Sequence, residues 1–143
     1  MNLTTDIKNY AKSIGIDEIK ITDAEPLLNV KDFLLKMKEE AYLSKFVKGD
    51  LDLITDPKAV LPEAESVIVI AISYKVDDKY IKESREKAID ELRGRISSFA
   101  WGEDYHKVLG KKLDKLITYI EEKAADVKAI KFVDTGPTVD RAL

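Results

Sequence analysis

The residues able to do chemistry fall in two short stretches. In Phe132-Val133-Asp134-Thr135-Gly136-Pro137 an apolar run ends in a carboxylate, and a Gly-Pro turn follows. A carboxylate at the carboxyl end of a strand sits where open α/β sheets build ligand crevices. Two roles are open to Asp134. Either it bonds the Thr135-Gly136 backbone as an Asx-turn and does no chemistry, or it is a partly desolvated general acid that keeps its proton near neutrality. The second role requires that no Lys or Arg pair closely with it, and Arg141 is the nearest cation along the chain on its C-terminal side. The other stretch is Trp101-Gly102-Glu103-Asp104-Tyr105-His106. Tyr105 and His106 open a helix, and a helix N-terminus favours anions and lowers an imidazole pKa. Trp101-Gly102 adds a flat apolar plate beside backbone N–H groups, suited to a planar cofactor or base. The alternative for Tyr105-His106 is a packed aromatic with a hydrogen-bonded imidazole.

Other chemistries are excluded by residue type. There is no cysteine, so these residues hold no disulfide, thiol nucleophile, thiolate zinc site or cysteine ligand for an iron–sulfur cluster. His106 is the single histidine, which rules out a multi-histidine metal site. Neither a GxGxxG nor a P-loop is present, arguing against a dinucleotide or NTP enzyme. A net charge of −3 gives no overall electrostatic footprint for nucleic acid, though a local basic face remains open. The first residues lack a basic region followed by an apolar one, and the longest apolar run, Val67 to Ile72, is too short to span a bilayer. A cytoplasmic protein is expected.

The elements that must position these stretches follow from hydrophobic spacing. With 143 residues, 45% apolar and 36% charged, the chain suits one soluble domain with a real core. Leu3, Ile7, Tyr10, Ala11 and Ile14 recur at helical spacing, with Thr4 or Thr5 as N-cap and Gly15 as the stop. Glu18 to Thr22 alternates as a half-buried strand. Asp23 is expected to cap a second helix burying Leu27, Val30, Phe33, Leu34 and Met37. Residues 39–55 read as a short helix plus loop, and Asp56-Pro57 as the start of a turn. Ser66 to Tyr74 is continuously apolar and β-branched, which predicts a central strand covered on both faces. A charged helix carries Tyr80 to Ile96, and Asp104 caps a long one with Val108, Leu109, Leu113, Leu116, Ile117 and Ile120 inward. Residues 129–133 read as the last strand. The expected fold is α/β: a layered domain with a central sheet (strands near 18–22, 66–74 and 129–133) covered by helices.

Three stretches together resemble one family. Gly94-Arg95-Ile96-Ser97-Ser98-Phe99-Ala100-Trp101-Gly102-Glu103-Asp104-Tyr105-His106-Lys107-Val108-Leu109 resembles the signature of epoxyqueuosine reductases. These are the cobalamin- and iron–sulfur-dependent enzymes that finish queuosine synthesis on tRNA. Asp56-Pro57 through Ser66-Val67-Ile68-Val69 is similar to the family's entry to a core strand. Phe132 through Arg141-Ala142 is similar to its segment bearing the proton donor. The first helix, from Tyr10 to Asp17, fits as well, so the resemblance runs through essentially the whole chain in order.

The resemblance implies that residues 1–143 are the N-terminal, cobalamin-binding-type domain of an oxidoreductase, truncated before the iron–sulfur domain. Asp134 matches the proton donor placed over the cobalt face, making it catalytic and cofactor-contacting. Ser97 matches a corrin-contacting position. Ile54 stands three residues before Pro57, where relatives usually place a cofactor-contacting Arg. Tyr105 and His106 match pocket-wall or substrate-side residues rather than cobalt ligands. The cofactors implied are cobalamin and two 4Fe-4S clusters, the clusters having no ligand in this chain. The partner implied is tRNA, with no membrane. The fragment is expected to be inactive alone, and to self-associate through an apolar crevice beside Val133, Val139, Ala142 and Leu143. Two other readings fit the same stretches: a stand-alone corrinoid-binding module, and a related iron–sulfur/corrinoid reductase acting on a small molecule.

Overall fold

The computed structural model describes residues 2–43, 50–75, 79, 94 and 96–137. Among them the elements run α1 (Leu3–Ser13), β1 (Glu18–Asp23), α2 (Leu28–Glu39), α3 (Leu51–Thr55), α4 (Pro57–Val60), β2 (Ser66–Ala71), a 3₁₀ turn (Ser98–Ala100) and α5 (Tyr105–Lys123). The fold is mixed α/β around a small antiparallel sheet.

Local chemistry sets the boundaries. Asn2, not Thr4 or Thr5, caps α1, its side chain accepting from the Thr4 N–H at 3.0 Å. Gly15 ends that helix in the left-handed region, at φ +77°. Lys112 of α5 then donates to the carbonyls of Ile14 (2.5 Å) and Gly15 (2.8 Å), a cation at the negative end of α1. Asp50 and Asp56 cap α3 and α4, accepting from Asp52 and Lys58 N–H groups at 2.9 Å each. Asp23 does not cap α2. Its carboxylate accepts from the Glu25 N–H, and the helix begins only beyond Pro26, at Leu28. The expected stripe of α2 is half-buried at Leu27, Val30, Leu34 and Met37, while Phe33 is exposed. Of the helix expected over Tyr80 to Ile96, residues 80–93 and 95 lie outside the described residues.

β1 and β2 pair antiparallel from Glu18↔Ala71 to Asp23↔Ser66. That register puts Ile19, Ile21, Ile68 and Ile70 on one face, against Ile7 and Ala11 of α1, Ile16 and Leu116 of α5. Glu18, Lys20 and Thr22, on the other face, are exposed. The expected Ser66–Tyr74 strand stops at Ala71, and along it Val67, Ile68, Val69 and Ile70 are all half-buried.

The third expected strand is also corrected, since residues 129–133 form no strand. An apolar crevice of about 480 Å³ lies between β2, the inner face of α5 and residues 127–134. Along that segment Lys128 reaches Glu63 at 2.5 Å, and Lys131 pairs with Asp114 of α5. Val133 lines this crevice; Val139, Ala142 and Leu143 lie outside the described residues.

Candidate functional site

The site grows from the first turn of α5. Asp104 caps the helix, its carboxylate accepting from the His106 N–H at 2.9 Å, with the His106 Nδ1 also 2.9 Å away. Those two contacts, the backbone one first, hold the Asp104 carboxyl below the usual carboxylate range. The cap fixes the start of the helix and so fixes Tyr105, its first residue. The Tyr105 ring is packed edge-on against Phe99 (5.7 Å between centroids, 86°) and lies 4.1 Å from the His106 ring. Phe99 in turn meets Tyr74 edge-on at 6.2 Å.

The Tyr105 hydroxyl donates to Asp134 Oδ2 at 2.7 Å. This bond to the carboxylate, then burial, then the charge of Asp134, raises the phenol above its ordinary range, so it remains a donor well past neutrality. Asp134 sits at φ +59°, with the Thr135 N–H donating to the Val133 carbonyl at 2.6 Å across it. That is a γ-turn with positive φ at its centre, the rarer and more strained form. The Asx-turn alternative is not what forms: the turn closes through backbone atoms, and the carboxylate faces Tyr105.

Asp134 is exposed rather than desolvated, because its turn lies at the surface of the crevice and not at a strand end. It is the one carboxylate lining that crevice among the described residues. No ion pair among the described residues involves Asp134, because Lys128 and Lys131, the cations just before it, are engaged elsewhere. Arg141 lies outside the described residues.

Ser97 and Asp134 are brought to the same aromatic cluster without touching. Ser97 is exposed and opens the 3₁₀ turn, flanked by the exposed side chains of Ile96, Phe99 and Trp101. Residues 97–101 do not line the crevice; they reach Asp134 through the Phe99–Tyr105 contact. Ile54 is half-buried in α3 and supplies no cation. Gly102, at φ +97°, gives the left-handed turn between the Trp101 plate and the Asp104 cap. Sequence reasoning missed the hydroxyl of Tyr105 as the partner of Asp134, and Tyr74 as part of the cluster. An Asp-Tyr pair at a helix start fixes the tyrosine, but nothing in the spacing shows which distant group it meets. Among the described residues no group of three or more His, Asp or Glu could hold a metal ion, and no helix is long and apolar enough to cross a membrane.

This geometry is a single acid on a strained turn, beside an exposed apolar plate. A family profile described as "Epoxyqueuosine reductase QueG, DUF1730" matches residues 55–135, which include β2, Ser97, Tyr105 and Asp134. The chain belongs to the epoxyqueuosine reductase family. The epoxyqueuosine reductase of Staphylococcus aureus is 39% identical over 141 residues, covering 99% of this chain and 36% of that protein. An epoxyqueuosine reductase crystallised with a tRNA-Tyr epoxyqueuosine-modified stem loop has a TM-score of 0.78 at 34% identity, over 98% of this chain and 36% of the other. A Bacillus subtilis epoxyqueuosine reductase, with its Asp134 catalytic loop swung out of the active site, has a TM-score of 0.78 at 32% identity over the same shares. The chain thus spans about 36% of the length of the curated relatives it matches.

Proposed function

We propose that this chain is the N-terminal, cobalamin-binding domain of a cytoplasmic epoxyqueuosine reductase, which converts epoxyqueuosine in tRNA to queuosine. The observation that carries this reading is Asp134: a carboxylate outside every described ion pair, held by the Tyr105 hydroxyl and joined through Phe99 to the exposed surface around Ser97. The catalytic Asp134 loop of the Bacillus subtilis relative supports the same role for the aspartate here. The relative crystallised with a tRNA stem loop supports tRNA as the substrate.

The side chains present suit a large, flat, partly apolar cofactor. Ile96, Phe99 and Trp101 expose an apolar surface, and Ser97 places a hydroxyl within it. Cobalamin held against these side chains would supply the electrons for removing the epoxide oxygen, drawn from two 4Fe-4S clusters. The chain has no cysteine, so the cluster ligands belong to other parts of the complete enzyme. The conversion consumes two electrons and two protons, breaks both C–O bonds of the epoxide, and yields an alkene and water. Asp134 gives a proton to the departing oxygen. Ligands covering the exposed turn exclude water from the carboxylate, the condition proton donation needs.

Titrating cobalamin into the chain while following its visible spectrum tests the domain assignment. Saturable binding is expected, weakened about tenfold or more by Ser97→Arg, which drives bulk and charge into the apolar surface. Binding that is absent, or indifferent to Ser97→Arg, contradicts the assignment.

A further inference from the structure

The turn that carries Asp134 needs a hold from outside itself. A γ-turn with φ +59° at its centre persists only where the surroundings fix it. Within the turn, the Thr135 N–H (2.6 Å) and Oγ1 (3.3 Å) both donate to the Val133 carbonyl. Gly136 then folds close over Phe132, where an added Cβ would come within 2.6 Å of the Phe132 Cβ. None of these contacts touches the carboxylate. The bond that does comes from another element, the hydroxyl of Tyr105 to Asp134 Oδ2 at 2.7 Å.

Tyr105 is well placed to impose a position. It is half-buried, begins a 19-residue helix behind the Asp104 cap, and is braced by the rings of Phe99 and His106. We infer that Tyr105 is a positioning residue for Asp134, its hydroxyl holding the turn against α5 and fixing which carboxylate oxygen presents the proton. The inference rests on the reading of Asp134 as the proton donor. In the neutral acid the oxygen that accepts from the phenol is the carbonyl-type Oδ2, so the transferable proton resides on Oδ1. Oδ1–H is then the group left free to meet the substrate. Loss of the hydroxyl frees the turn and scrambles the two oxygens, leaving a competent acid in the wrong place.

The contact itself is tested in this chain by ¹³Cζ-tyrosine NMR across an alkaline titration, with Tyr105→Phe identifying the signal. The charged groups facing the phenol are Asp134 and Asp104. Tyr105 is expected to ionise at lower pH in Asp134→Asn than in the parent; an unchanged midpoint overturns the inference. The positioning role is tested by single turnover in the complete enzyme. Tyr105→Phe is expected to slow conversion about tenfold or more with KM for tRNA within about twofold. It should add nothing to the loss caused by Asp134→Asn, since it acts through that residue. Full rate in Tyr105→Phe, or a further loss on top of Asp134→Asn, overturns the inference while the acid reading stands. An active Asp134→Asn enzyme overturns the acid reading and the inference with it.

Discussion

The rings of Tyr10 and Tyr119 lie face to face, 4.0 Å between centroids and 5° from parallel. Tyr10 belongs to α1 and Tyr119 to α5, so the stack sets how α5 lies over the core, and Tyr105 sits at the far end of that helix. The Lys123 ammonium lies over the Tyr119 ring, 5.6 Å from its centroid. Aromatic pairs contribute about 0.5–1.5 kcal/mol beyond the area they bury. A double-mutant cycle with Tyr10→Leu and Tyr119→Leu is expected to give a coupling of about that size by chemical denaturation. A coupling near zero would make the stack incidental to the fold.

Leu116 is the α5 residue that anchors the core, 2% exposed among Ile7, Ala11, Ile16 and Ile19. Leu116→Ala leaves a cavity that these neighbours only partly fill, and is expected to cost about 2–5 kcal/mol in urea unfolding. Phe33→Ala, on a side chain 60% exposed, is expected to stay within about 0.5 kcal/mol of the parent. Equal losses would contradict the placement of the core.

Acid should loosen the site from its helix cap. The Asp104 carboxyl is lowered by the backbone N–H of His106 and then by its ring. A folded-state pKa below the unfolded value contributes stability that is present above the unfolded value and lost as pH falls through the folded one. The melting temperature should therefore fall more steeply below about pH 4 in the parent than in Asp104→Asn, which keeps a capping side chain but has no charge to lose. Identical acid limbs would show that Asp104 is not coupled to folding.

What the sequence made legible was mostly local. Gly15 as a helix stop and Asp104 as a cap need only their neighbours, and both stand in the structure. The inward set of α5 was readable because a fixed period of 3.6 residues decides it. Elements whose state depends on distant partners were not readable. Residues 129–133 have the composition of a strand, but strand formation needs a pairing partner, and here the segment forms no ladder with β2. β2 has the apolar run of a central strand, yet among the described residues it pairs only with β1, antiparallel. Asp134 stood out by type and by resemblance. Its Tyr105 partner, its positive φ and its exposure are properties of the folded chain, and no spacing rule carries them.

Asp134 is proposed to deliver the proton to the departing epoxide oxygen. Single turnover on epoxyqueuosine-bearing tRNA, comparing the complete enzyme with its Asp134→Asn variant, tests it most directly, with the visible cobalamin spectrum as the control for binding. The account predicts an unchanged spectrum and a rate lower by about 10²–10⁴, the usual loss on removing a general acid. A variant that binds cobalamin and converts the epoxide within a few-fold of the parent would contradict it.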